Sequence, residues 1–134
     1  MGIIQVALPV PLYRSFDYLA PHPLPEIGSR VRVPFGPQQL VGIVIQHPDS
    51  TNLPIEKLKP VLSVLETSSL FPEPLWQLLR WAADYYLHPE GEVLNHALPI
   101  LLRQGEPATS KPIPYWQISA EGESAIAQLK RAPK

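Results

Sequence analysis

Cysteine is absent from the 134 residues, which excludes disulfides and thiolate metal sites. The four histidines, His22, His47, His88 and His96, include no pair three or four positions apart, so the usual zinc-binding spacing is missing as well. No run approaches the roughly 18 apolar residues of a membrane helix. The opening Met1-Gly2-Ile3-Ile4-Gln5-Val6 has neither a basic stretch nor a long apolar core, so no secretory leader is expected. There is no Walker-type glycine loop, no dinucleotide fingerprint and no serine in a nucleophile elbow. Carboxylates are scattered, and Asp84 reads as a solvated helix residue. Charge is also in short supply. A formal net charge of −1 excludes the broad basic field of a general duplex binder. These absences predict a soluble cytoplasmic chain that is not a self-sufficient enzyme and needs no cofactor. Any nucleic-acid contact would be made by a local site.

What is abundant is proline, 18 of 134 residues against a usual share of about 5%. The chain is also 45% hydrophobic, which argues against disorder. The prolines therefore punctuate short ordered elements. Residues 2–8 predict a first strand, closed by Pro9 and Pro11, and residues 15–19 a second. Arg30-Val31-Arg32-Val33 alternates, placing the valines on one face and the arginines on the other. Pro34-Phe35-Gly36-Pro37 signals a turn. Residues 40–45 form a continuous β-branched run, expected of a strand buried on both faces, with Gly42 suggesting a bulge or bend. Residues 59–65 predict a fifth strand. Five short strands at this spacing predict a small barrel or strongly bent sheet.

After Thr67 the period becomes helical. Pro72 and Pro74 suit a first turn, and Leu75, Leu78, Leu79, Ala82, Ala83 and Tyr86 follow at helical spacing. A second helix is expected from Pro89 through Ala97, with Pro99 as its stop. Residues 103–114 read as a linker, Tyr115–Ile118 as a strand, and Ser119 as the cap of a helix from Glu121 to about Leu129. That last pair is too small to bury a core of its own. The fold class expected is α+β, with a β-rich subdomain over 1–66, a helical subdomain over 67–105, and a linker with the beginning of a further domain over 106–134.

The aromatic residues Trp76, Trp81, Tyr85 and Tyr86 are expected to pack against the strands, although aromatics of this kind can also offer a stacking surface to bases. Arg30 and Arg32 share a strand face that is either solvated or contacts phosphates. Phe16-Asp17-Tyr18 is either an ordinary strand or part of a site.

Several segments taken together resemble the amino-terminal DNA-binding region of the PriA family of bacterial replication-restart helicases. These are Val6-Ala7-Leu8-Pro9-Val10-Pro11-Leu12, Arg14-Ser15-Phe16-Asp17-Tyr18-Leu19, Gly28-Ser29-Arg30-Val31-Arg32-Val33-Pro34-Phe35-Gly36, and Val41-Gly42-Ile43-Val44. Further along come Leu79-Arg80-Trp81-Ala82-Ala83-Asp84-Tyr85-Tyr86 and His96-Ala97-Leu98-Pro99-Ile100-Leu101-Leu102-Arg103-Gln104-Gly105. Each piece is weak alone, but their order and spacing are specific.

The resemblance implies a domain that binds the 3′ end of the nascent leading strand at stalled forks, followed by a winged helix beginning near Tyr115. It implies that ATP, magnesium and zinc belong to a helicase core outside this chain. Partners would be single-stranded 3′ ends and forked DNA, with primosome proteins and single-stranded DNA-binding protein for the parent protein near the nucleoid. The implied pocket residues are Phe16, Asp17, Tyr18, Gly36 and Lys59, with Lys57 as a competitor for the last. Asp17 would accept from a terminal 3′-hydroxyl, Gly36 would allow close backbone approach, and Lys59 would hold the last internal phosphate. A protein-docking module using the aromatic helix and Leu98–Leu102 is the alternative.

Overall fold

The computed structural model describes residues 1–130 of the chain. It is α+β. The strands are β1 (Gly2–Ala7), β2 (Phe16–Ala20), β3 (Arg30–Phe35), β4 (Gln38–Gln46) and β5 (Ser63–Val64). They form one sheet in the order β2-β1-β4-β3-β5, with all strand pairs antiparallel. Alternation decides the inner face: Ile4, Val6, Leu8, Tyr18, Ala20, Val31, Val33 and Val44 make the barrel core.

The sheet curls until its edges nearly meet. Ahead of β5 the chain reaches back to the free edge of β2, where Leu19 N–H donates to Lys59 O and Val61 N–H donates to Leu19 O. Pro60 lies between those two contacts, where its missing N–H removes no bond. The predicted fifth strand over 59–65 is thus a short ladder plus this bridge.

Gly42 is not the bulge. It pairs with Val31, and a Cβ there would lie 2.4 Å from Val6 Cγ1 and 2.7 Å from Leu8 Cδ2. It is small because β1 crosses close by. The irregularity lies further on, where Gln5 pairs with Gln46 but Val6 pairs with Val44, leaving Ile45 as the extra residue.

The helices are α1 (Glu73–Tyr85), α2 (Glu90–His96), α3 (Ile100–Arg103) and α4 (Ala120–Ile126). They add no isolated core. Phe71, Trp76, Leu94 and Leu98 pack on Ala7, Ile43 and Ile45, the outward residues of β1 and β4. β4 is accordingly buried on both faces, as its continuous apolar run predicts. The closest approach is at Gly91, where a Cβ would lie 1.7 Å from Leu8 O.

Two helical expectations need correction. The buried stripe of α1 runs through Trp76, Leu79 and Ala83, while Leu75, Leu78 and Tyr86 are exposed. Trp76 fixes the phase, because its ring fills the space beside Phe71 at 5.4 Å between centroids. Trp81, Tyr85 and Tyr86 therefore do not pack against the strands: they are 55%, 65% and 70% exposed, and Trp81 and Tyr85 stack on each other at 4.8 Å. Pro99 follows α2 and is the N-cap of the short α3.

Beyond Glu106 every described residue except the half-buried Gly122 is exposed. Tyr115–Ile118 is not a strand, since no partner strand pairs with it. Ser119 does cap α4, its Oγ accepting from Gly122 N–H at 3.1 Å, and the helix closes at Ile126. The final four residues of the 106–134 segment lie outside the described residues. Among the described residues, no helix is long and apolar enough to cross a membrane.

Candidate nucleic-acid interface

The site begins with strand pairing. β1 and β2 run antiparallel with Gln5 opposite Asp17, so these two side chains share a face. Gln5 Nε2 donates to Asp17 Oδ1 over a long 3.4 Å. The loop after β4 supplies a stronger donor, Thr51 Oγ1, which donates to Asp17 Oδ2 at 2.6 Å. Both oxygens of the half-buried carboxylate thus have a donor, and each keeps further lone-pair capacity.

Phe16 and Tyr18 lie on the opposite face of β2. Phe16 packs edge-on against Phe35, with ring centroids 5.2 Å apart and planes at 80°. Tyr18 enters the barrel core, and its hydroxyl donates to Pro34 O at 2.9 Å. Burial pushes the Tyr18 hydroxyl above its ordinary value, so at neutral pH it stays a neutral donor.

Gly36 and Pro37 form the two-residue connection between β3 and β4. Gly36 has φ +56, the left-handed value that tight hairpins require. A Cβ there would meet nothing within 4 Å, so its backbone faces open space.

These parts converge. Phe16, Asp17, Tyr18, Gly36 and Lys59 all line one cleft of about 410 Å³. Lys57 lines it too, so the structure brings both candidate lysines to the same place. Three cations, Arg14, Lys57 and Lys59, share it with the single carboxylate of Asp17. Backbone exposed by Gly36, aromatic rings at Phe16 and Phe35, an oriented acceptor and several cations could hold a sugar, a base and a phosphate together.

Gln5, Arg14, Thr51 and Asn52 also line the cleft, and no role was assigned to them from sequence. Arg14 stands two residues before Phe16, a proximity that could have pointed to it. Thr51 carried no sequence signal, because its place depends on how the loop from 47 to 62 folds back.

The arginine pair divides. Arg30 is fully buried and makes no solvent-facing site. Its Nε donates to Glu66 Oε1 at 2.9 Å, and Nη2 donates to Glu66 Oε2 at 2.7 Å and Glu106 O at 2.9 Å. Nη1 donates to Leu102 O at 2.6 Å. A guanidinium committed to that many acceptors has no fork left for phosphate, so Arg30 is corrected from candidate contact to internal tie between β3 and the end of α3. Arg32 is only partly buried and donates weakly to Gln104 O at 3.3 Å.

Comparison with known sequences gives a consistent result. Residues 5–99 match a family described as the PriA 3'DNA-binding domain (3'BD). Over its full length the chain is 44% identical to the Replication restart protein PriA of Haemophilus influenzae and 30% identical to that of Buchnera aphidicola from Acyrthosiphon pisum. The Bacillus subtilis protein of the same name is 32% identical over 67% of this chain. The chain spans 19% of the length of the Haemophilus and Buchnera relatives and 12% of the Bacillus one.

Proposed function

The chain belongs to the PriA 3′ DNA-binding domain family, and from that premise we propose that it is a DNA-binding module of replication restart whose cleft receives the 3′-terminal nucleotide of a strand. One observation carries this reading: residues from three separate segments, Phe16–Tyr18, Gly36 and Lys59, line a single cleft. A carboxylate is a poor neighbour for phosphate, so Asp17 would weaken a general backbone groove. It suits a strand end, whose 3′-hydroxyl is a donor and whose terminal sugar bears no 3′-phosphate. Thr51 and Gln5 orient the carboxylate, which accepts a charge-assisted hydrogen bond from that hydroxyl. Lys59, with Lys57 beside it, offsets the charge of the preceding phosphate.

In the longer protein this module would engage the nascent leading strand at a stalled fork, close to the nucleoid in the cytoplasm. Residues 106–134 would lead into a winged helix, and ATP, magnesium and zinc would be used by a helicase core elsewhere. Primosome proteins and single-stranded DNA-binding protein are partners of that whole assembly.

The test compares short oligonucleotides ending in a 3′-hydroxyl or a 3′-phosphate, by fluorescence titration at one salt concentration. Like charges about 4 Å apart repel by roughly 4 kcal/mol even at an effective dielectric near 20. Solvent in the cleft reduces that, so the 3′-phosphate should bind roughly ten- to a hundredfold more weakly. Asp17→Asn should shrink the gap. Equal binding of both ends would refute end recognition.

The exposed stack of Trp81 on Tyr85, with Tyr86 edge-on at 5.0 Å, favours a second reading, a protein-docking face. That reading predicts no dependence on the 3′ end.

A further inference from the structure

Resting on the strand-end reading above, we propose that Arg14 holds the backbone phosphate at the point where the strand leaves the terminal-nucleotide cleft. Arg14 is exposed, and among the described residues no carboxylate lies within ion-pair distance of it. Its charge is therefore uncommitted. Its position, however, is defined, because the guanidinium carbon lies 4.7 Å from the centroid of the Phe16 ring. A guanidinium laid on an aromatic face keeps its N–H groups pointing outward in its own plane, which leaves the fork that binds phosphate bidentately. The contact biases the side chain toward this position before binding.

The path of the strand supports the same assignment. A second cleft, of about 480 Å³, lies between the β1–β2 connection and helices α1 and α2. Arg14 and Ser15 are the two residues that line both clefts. A strand leaving the first cleft for the second thus passes over Arg14. Beyond it Arg80 is already engaged with Glu90 at 2.6 Å, and the His88 ring contacts Glu92 at 3.0 Å. Lys57 and Lys59 enter from the β4–β5 connection, and neither has an aromatic platform. They add charge near the terminal nucleotide, whereas Arg14 offers a fixed two-pronged donor at the exit.

The experiment uses dinucleotides with a free 3′-hydroxyl whose one internal linkage is either a phosphodiester or a neutral methylphosphonate. The unmodified chain should favour the phosphodiester roughly tenfold or more, the usual worth of a hydrogen bond to a charged group. Arg14→Gln should remove most of that preference, leaving the smaller part that Lys59 and Lys57 supply, with the methylphosphonate affinity near its original value, and Arg14→Lys should keep more of it. Circular dichroism checks that both variants fold. An undiminished preference in Arg14→Gln would overturn the assignment. So would equal weakening of both linkages, which would mean that Arg14 merely supports Phe16. Discrimination between 3′-hydroxyl and 3′-phosphate by the unmodified chain is measured alongside. If ends are distinguished but Arg14→Gln keeps its linkage preference undiminished, only the Arg14 assignment falls. If ends are not distinguished, the strand-end reading falls and takes this one with it.

Discussion

Arg30→Met tests whether the buried arginine is structural. The substitution keeps an unbranched apolar stem and removes the guanidinium. It leaves Glu66 without its bidentate partner and strips one donor each from Leu102 O and Glu106 O. Removing one member of a buried ion pair typically costs about 3–5 kcal/mol, because the remaining charge is left uncompensated. The Glu66 side chain is 16% exposed, so water can reach it and the lower end applies. The expected loss is about 3 kcal/mol. In urea unfolding followed by tryptophan fluorescence, that lowers the midpoint by on the order of 1–2 M. Removing both charges with Arg30→Met and Glu66→Leu should recover much of the loss, since no stranded carboxylate remains. Where the single variant is folded, its affinity for a 3′-hydroxyl oligonucleotide should match the unmodified chain. Unchanged stability in Arg30→Met would refute the buried-tie account. Full stability with lost binding would return Arg30 to the interface.

Two further substitutions probe how the halves are joined and how the core responds to pH. Gly91→Ala should destabilise by about 1–3 kcal/mol in the same unfolding assay, because its methyl collides with Leu8 O; at an open helix position the same change would stabilise by about 1 kcal/mol, so a gain would show that α2 does not dock as described. Tyr18 has its folded pKa raised by burial, so its contribution to stability should be constant below the ordinary 10.0 and fall as pH rises past it, the unfolded chain ionising first. Tyr18→Phe should lose about 1 kcal/mol at neutral pH with its bond to Pro34 O, yet show a shallower alkaline decline than the unmodified chain. Parallel declines would show that Tyr18 is not the group responsible.

Legibility in the sequence followed the range of the interactions. β1 to β4 could be read because period-2 burial and proline stops are local signals, and the two-faced burial of β4 shows directly in its unbroken apolar run. Ser119 was readable as a cap for the same reason. The phase of α1 was not. Leucines at 75, 78 and 79 and the large ring at 76 both fit an amphipathic helix, and only the space left beside Phe71 chooses Trp76 for the interior. Arg30 was misread because strand alternation fixes which face a residue takes but not what covers that face. Here the covering comes from residues 66 to 106, beyond the reach of any local pattern. The candidate site divides in the same way. Phe16, Asp17, Tyr18, Gly36 and Lys59 were named through resemblance, while Thr51, which makes the shortest bond to Asp17, sits in a loop whose return path is a tertiary fact.

The closure of the barrel and the construction of the cleft rest on one stretch of chain. Leu19 N–H donates to Lys59 O, and Val61 N–H donates to Leu19 O, which ties the stretch to β2 beside Asp17 and Tyr18. A few residues on, Leu62 N–H donates to Arg32 O and Leu65 N–H to Arg30 O, which ties it to β3. Glu66 follows at once and is gripped by the Arg30 guanidinium and by Arg30 N–H at 2.8 Å. Lys59 is exposed, and by itself a lysine side chain is a mobile point charge. Its backbone is nevertheless held at the barrel seam, with the buried ion pair anchoring the downstream end. The flexible ammonium is thereby tethered within reach of the Asp17 carboxylate, in the same cleft. On the strand-end proposal, a buried arginine outside the cleft would thus help to fix where a bound strand's charge is met. Pro60 sits between the two bonds of the seam, Leu19 N–H to Lys59 O and Val61 N–H to Leu19 O, so its missing N–H is compatible with the contact that closes the barrel.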